Sequence, residues 1–330
     1  MAEDFRPTAS MEMLRRRSEL TMAIHSFFQG LDFVHVETPL VSRDTVVDRH
    51  IEPVPILRSA LTGSGIDDHQ MWLQTSPEFA MKRLLTAGQS DGLSSIYQIA
   101  KAFRQGEQGR RHNPEFTMLE WYRCGDGLQQ GMQLLSEFAV AILGRPPSAM
   151  VTYRDSFLQY AEVDPFTAST AALAELCRSK IKVAKDFSDD QPRDFWMDLI
   201  LVHLVEPHLG SDCPTIIYEW PASQSALAIV REGEHPVAER FELYVDGVEL
   251  ANGYHELLDA DELLRRNENV NAQRVADGNT ALPVNSRLLD AMRDGIPACT
   301  GVAVGVDRLL MVLMGADSIT DVMAFGFDES

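Results

Sequence analysis

The stretch FELYVDGVELANGYHE, residues 241–256, leaves the chain little local choice. Two runs of alternating apolar and polar residues flank Asp246-Gly247, a pair that tolerates positive φ and so closes a two-residue hairpin. That turn pairs Val245 with Val248, Tyr244 with Glu249 and Leu243 with Leu250. Side-chain alternation then sets Glu242, Tyr244 and Glu249 on one face of the hairpin. Asn252-Gly253 is expected to break the second strand, and Glu256 to open the helix that follows.

Other segments show equally local signals. Leu20, Ile24, Phe27 and Phe28 recur at helical spacing and predict a helix over 11–28 that Gly30 ends. LDFVHVETPL (31–40) alternates and predicts a strand stopped by Pro39. MWLQTSPEFAMKRLL (71–85) predicts a strand, then a helix entered at Ser76 with Pro77 in its first turn. Residues 95–103 and 115–123 predict paired strands around the polar loop QGEQGRRHN, and 128–142 and most of 168–209 predict helices. GVAVGV (301–306) predicts a small-residue strand running into the helix DRLLMVLMG, closed by Gly315, with Met311 and Met314 in the core. Strands joined mostly by hairpins imply an α+β fold, a mostly antiparallel sheet flanked by helices. No repeat or linker divides the chain, so residues 1–330 read as one domain behind a flexible tail over 1–10.

Composition narrows the partners. Lys and Arg total 29 against 49 Asp and Glu, a formal charge of −20. Gripping nucleic acid along its length needs basic side chains on phosphates, so extended DNA or tRNA binding is not expected. No apolar run approaches the roughly 20 residues that span a bilayer. The start, MAEDFRPTAS, lacks a positive-then-apolar leader pattern. Cys124, Cys177, Cys213 and Cys299 are scattered without metal spacing, which predicts reduced thiols in a cytoplasmic protein.

Three arginines near strand ends (Arg104, Arg123, Arg308) and two carboxylates (Glu249, Glu256) form a suggestive set. Arginine presents a fork that fits carboxylate and phosphate oxygens, and Mg²⁺ takes one or two protein carboxylates plus substrate phosphates. Together these suit cleavage of a triphosphate, where charge stabilisation and positioning do most of the catalysis. No P-loop lysine signature is present, and GSG at 63–65 is too short for a phosphate cradle. Taken singly each group has a plain reading: a solvated Arg–Glu contact, an acidic sheet face, or, for His112, a hydrogen-bonding support.

In order along the chain, however, three segments resemble the signature motifs of class II aminoacyl-tRNA synthetases. The helix, Gly30 and the strand to Pro39 resemble the first motif, FRQGEQGRRHNPEFTMLEWYR the second, and GVAVGVDRLL the third. HNPEFTMLEWY and AERFELYVDGVELANGYHEL are similar to the lysyl branch of that family. The resemblance implies a homodimer built on the first motif. Lysyl-tRNA synthetases of this class carry an N-terminal anticodon-binding barrel, and here the first motif begins within about 15 residues of Met1. The chain is therefore expected to resemble the free-standing paralogs that lysylate translation elongation factor P, to which SPE at 76–78 is also similar.

That resemblance implies ATP and Mg²⁺, an aminoacyl adenylate, and transfer to a lysine ε-amine of elongation factor P, with (R)-β-lysine as the preferred donor. By it, Arg104 bridges the substrate carboxylate and α-phosphate, and Arg308 with Mg²⁺ on Glu249 and Glu256 takes up phosphate charge. Asn113 and the backbone near Leu250 and Gly305 hold ATP, and Phe116 stacks on adenine. Glu78, Glu120, Tyr122 and also Glu256 face the substrate's ammonium groups, leaving Glu256 with two roles; Ser76, Pro77 and Ala303 line the amino-acid pocket. The family commonly has an acid two positions after the second-motif arginine. Here Arg104-Gln105-Gly106-Glu107 puts glycine there, so either Glu107 or Gln105 with backbone groups stands in. Three rival readings are a truncated synthetase core charging an RNA, a metabolic ligase joining an amino acid to a small amine, and a catalytically inert binding module.

Overall fold

The strands expected around the polar loop run Ser95–Phe103 and Glu115–Cys124, antiparallel, with Phe103 opposite Glu115 and Ser95 opposite Arg123. The computed structural model describes residues 5–63 and 69–330; Ser64 and Gly65 of the GSG run lie outside them. The chain forms two compact units, residues 1–125 with 257–330, and residues 126–256.

In the first unit, Glu115–Cys124 also pairs antiparallel with Cys299–Gly305, and Val34–His35 pairs parallel with Ser95–Phe103. The Met11–Gln29 helix begins at the Ser10 cap and buries Leu20, Ile24 and Phe28. Phe28 stacks on Tyr97 at 4.7 Å and lies 5.1 Å from Trp121. Fully burying such a side chain is worth about 2–3 kcal/mol, so this seam anchors the helix to the sheet. A small sheet joins Val41–Ser42, Gln70–Leu73 and Pro55–Leu57. Thr8 and Ala9, within the segment expected as a tail, donate their N–H groups to Ala324 and Met323.

The second unit holds the hairpin Val237–Val245 and Val248–His255, flanked by Thr215–Pro221 and then Ala149–Thr152. Its core gathers Tyr153, Phe157, Trp196 and Trp220 from helices Tyr153–Tyr160 and Arg193–Ile200 and the Thr215–Pro221 strand. In both units the pairings are mostly antiparallel, with helices on the sheets, as expected.

Several local expectations need correcting. The strand over 31–40 shrinks to Val34–His35, because after Val36 donates to Tyr97 O the chain leaves the ladder ahead of Pro39. Gly30 ends its helix in ordinary right-handed geometry, φ −65°. Pro77 is the cap of helix Glu78–Gly88, outside its first turn. Pro192 caps the Arg193–Ile200 helix, which divides the region 168–209 into separate helical pieces. In the hairpin, Asp246 (φ 50°) and Gly247 (φ 70°) make the expected turn, but Leu243 faces Ala251; Leu250 is an extra residue, a bulge that shifts the pairing by one. Asn252-Gly253 continues the strand opposite Glu242 and Phe241. Glu256 bridges Ala228, and the next helix, Ala260–Ala276, starts only after the Asp259 cap. Met314 is 37% exposed because it falls on the outer face of its helix, while Met311 is buried.

Asp307 ties the third-motif segment to its surroundings. It is 1% exposed, accepts a hydrogen bond from Thr117 N at 2.6 Å and pairs with Arg17 of the first helix. Removing one partner of a buried ion pair strands the other charge, at about 3–5 kcal/mol. Arg17→Met should therefore lower the urea midpoint by an amount equivalent to about 3 kcal/mol, with an unchanged m-value.

Candidate active site

Alternation along Glu115–Cys124 divides its side chains between two surfaces. Trp121 goes to the core against Phe28, and Leu119 shares that face. Phe116, Met118, Glu120 and Tyr122 take the other. Beside them in register lie Ala102, Ala100, Gln98 and Ile96 on one neighbouring strand. On the other, Gly305, Ala303 and Gly301 lie beside Met118, Glu120 and Tyr122. Small residues line that neighbouring edge of the strand. A Cβ on Gly305 would meet only the Arg308 stem, at 3.8 Å, so internal packing does not require glycine there.

Glu120 is the centre of a buried polar cluster. Tyr122 OH donates to its Oε1 at 2.5 Å and Ser76 Oγ to its Oε2 at 3.0 Å. Ser76 Oγ accepts the Glu78 N–H at 3.0 Å. The Glu78 carboxylate pairs with Lys82 Nζ at 2.5 Å, and Lys82 is 1% exposed, 5.9 Å from the Tyr122 ring centre. Burial first, then the charge of Glu78, push the Glu120 carboxyl up to about 8, against the lowering effect of Tyr122, Ser76 and Lys82. The structure thus brings Ser76, Glu78, Glu120 and Tyr122 together, with Pro77 buried between Ser76 and Glu78 and Ala303 alongside. Lys82 was absent from the expected set. Its signal was its place on the stripe Glu78, Met81, Lys82, Leu85, all of them buried.

The second-motif arginine forms a separate group. The Arg104 guanidinium lies 5.1 Å from the Phe116 ring centre and 3.6 Å from Glu107; its Nε is buried with no hydrogen-bond partner among the described residues. Gly106 has φ +79°, and Glu107 N–H returns to Arg104 O at 3.4 Å. The third residue of such a type II-like turn needs positive φ, which glycine takes without cost and an acid does not. That is the physical reason for glycine at this position, and it sends Glu107 back onto Arg104. Gln105 is exposed and donates its backbone N–H to Glu52 O at 2.8 Å. Asn113 spends its amide within the chain, donating to Glu115 O at 2.6 Å and accepting from Phe327 N at 3.2 Å.

Arg308 lies against the loop end. Its Nε donates to Arg111 O at 3.3 Å, and its terminal NH₂ meets His112 Nε2 at 2.6 Å. Since guanidinium only donates, His112 accepts there as a neutral ring, the support role expected of it. Arg110 binds Asp317 through both its Oδ1 and its carbonyl.

Glu249, Leu250 and Glu256 belong to the second unit. Leu250 is the buried bulge residue. Glu249 lies opposite Tyr244, and its charge acts on Glu242. Glu242 accepts from Tyr244 OH at 2.5 Å and from Arg240; burial pushes it up to about 7 although Arg240 opposes this. Glu249 and Glu256 are separated by seven residues of extended strand, roughly 20 Å of backbone. The carboxylate neighbour of Glu249 is Glu242. Among the described residues no cluster of three or more His, Cys, Asp or Glu forms a complete cage, and a site of one or two carboxylates completed by phosphate oxygens fits Mg²⁺.

A family model of tRNA synthetases class II (D, K and N) matches residues 2–329. The chain belongs to that family. A protein named elongation factor P--(R)-beta-lysine ligase from Yersinia enterocolitica serotype O:8 / biotype 1B (strain NCTC 13174 / 8081) is 41% identical over 322 residues, covering 97% of each chain. One of the same name from Salmonella typhi is 40% identical over 327 residues, 99% of this chain and 98% of that one. Among the described residues no helix is long and apolar enough to cross a membrane.

An acid whose folded pKa is raised binds a proton that the unfolded chain releases near 4.5, so its burial costs stability as pH climbs from there to about 8. Glu120→Gln removes that cost. Thermal melts should show the variant gaining Tm over the parent at pH 8 and no gain at pH 4.

Proposed function

We propose that this protein activates (R)-β-lysine, or lysine, with ATP as an aminoacyl adenylate and transfers it to the ε-amine of a lysine on elongation factor P. The full-length match to two ligases of that name carries the reading. The buried acids Glu78 and Glu120 with Tyr122 suit an ammonium-bearing substrate, since buried charges need opposite charges beside them. Both units serve this single activity, in the cytoplasm, as a homodimer.

In the first step the substrate carboxylate attacks the α-phosphate and pyrophosphate leaves. Arg104 bridges the carboxylate and α-phosphate, and its guanidinium shares Phe116 with the adenine as a stacking platform. Gln105, Gly106 and Glu107 line the nucleotide, together with the backbone at Asn113, Leu250 and Gly305. Arg308, held by His112, takes charge on the terminal phosphates. Glu249 and Glu256 would hold Mg²⁺, which supplies further neutralisation of phosphate charge. Glu120, Tyr122 and Glu256 receive substrate ammonium, and Ser76 and Ala303 set the pocket's size. In the second step the acceptor lysine attacks as a neutral amine. Free lysine has a pKa of about 10.4, so desolvation on docking or a base must supply that form.

The test offers ATP, Mg²⁺ and labelled (R)-β-lysine together with elongation factor P and bulk tRNA. Label on the protein factor supports the reading; label on RNA replaces it with RNA charging. In pyrophosphate exchange, Glu249→Gln and Arg308→Ala should each lose at least about 10²-fold while circular dichroism stays unchanged. Near-parental exchange would remove both residues from the mechanism.

A further inference from the structure

The amino-acid pocket contains a base for which the reading above has no use. Lys82 is buried, one helical turn after Glu78, and its ammonium sits on that carboxylate at 2.5 Å. Ser76 Oγ accepts the backbone N–H of Glu78 and donates to the Glu120 carboxylate, each at 3.0 Å. The groups that act on Glu120 come from two elements: Glu78 and Lys82 on the Glu78–Gly88 helix, and Tyr122 on its own strand. The residues registered beside it on the adjoining strands, Gln98 and Ala303, carry no charge. The empty pocket therefore holds two buried acids and one buried base.

Two unneutralised carboxylates this close and this dry cannot both ionise. With Lys82 committed to Glu78, the odd acid is Glu120. We propose that Lys82 is a positioning residue of the amino-acid pocket: by neutralising Glu78 it leaves Glu120 as the acid that ionises for the substrate ammonium, and amino-acid binding expels the Glu120 proton to solvent. The exchange balances as carboxylic acid plus ammonium giving a carboxylate–ammonium pair and one free proton. The raised titration of Glu120, to about 8, agrees with a protonated empty pocket at neutral pH. Lys82 pairs with Glu78, and its charge also lowers Glu120. The inference rests on the proposed amino-acid substrate and deepens it.

Calorimetric titration of the whole protein with (R)-β-lysine, in pairs of buffers differing in ionisation enthalpy, reads this directly. Release of about one proton per amino acid is expected at pH 6.5, falling to about a quarter at pH 8.5. Lys82→Met should move that midpoint up by at least about one pH unit and raise the amino-acid KM at pH 7.5 at least about tenfold, with the KM for ATP unchanged. A merely structural lysine would shift neither the midpoint nor one KM selectively. Should the single variant not fold, Glu78→Gln/Lys82→Met, which buries no charge at either position, should titrate at or below the parent midpoint. Binding without proton release at pH 6.5, or a double variant with an alkaline-shifted midpoint, overturns the inference alone. Absence of amino-acid binding at every pH overturns the functional reading and the inference together.

Discussion

The strand Glu115–Cys124 is hydrogen-bonded along both edges, and most of the first unit depends on that double ladder. A strand held on two sides cannot slip by one residue without turning every side chain to the opposite surface. Slipping would bring Trp121 out from Phe28 and drive Glu120 into the aromatic seam, so core packing and the placement of the acids enforce the same register. The site face inherits its accuracy from the core face. Gly301, Ala303 and Gly305 place only small side chains on the site face, while Val302 and Val304 are buried on the other.

Loops complete the arrangement by spending their polar groups on one another. Arg104 is held by Pro114 O through its backbone and by Phe116 and Glu107 through its side chain. Arg308 is held by Arg111 O and His112. Guanidinium groups left in water would have many rotamers to lose on meeting a phosphate. Fixing them beforehand lowers that entropic cost at the moment of binding.

Much of this was legible in the sequence because it was local. Asp246-Gly247 dictates its turn from two residues, and alternation correctly put Glu242 with Tyr244 on one surface. The bulge at Leu250 was not legible, since nothing in ELANG marks an extra residue until the partner strand is present. Asn252-Gly253 looked like a break on propensity, yet pairing on the sheet overrode it. Lys82 was overlooked for a related reason. Glu78 and Lys82 have the i, i+4 spacing that solvated helix pairs also have, and only the apolar stripe they share with Met81 and Leu85 says that the pair is inside.

The two units use one local device with different consequences. Each buries a glutamate whose carboxylate accepts from a tyrosine two residues on, Glu120 from Tyr122 and Glu242 from Tyr244, both at 2.5 Å. Hydrogen bonding from tyrosine favours the carboxylate in both, so it cannot explain why they differ. The cation does. Arg240 is in direct contact with Glu242; burial lowers its proton affinity, but the charges of Glu242 and Tyr254 outweigh that, so it stays charged at any working pH. The base near Glu120 is paired with Glu78, so burial first and then the charge of Glu78 raise Glu120, and Lys82 offsets only a little of this. Glu242 accordingly titrates near 7 and Glu120 near 8. Burial raises both acids, and the arginine in contact with Glu242 offsets more of that rise than the lysine near Glu120 does.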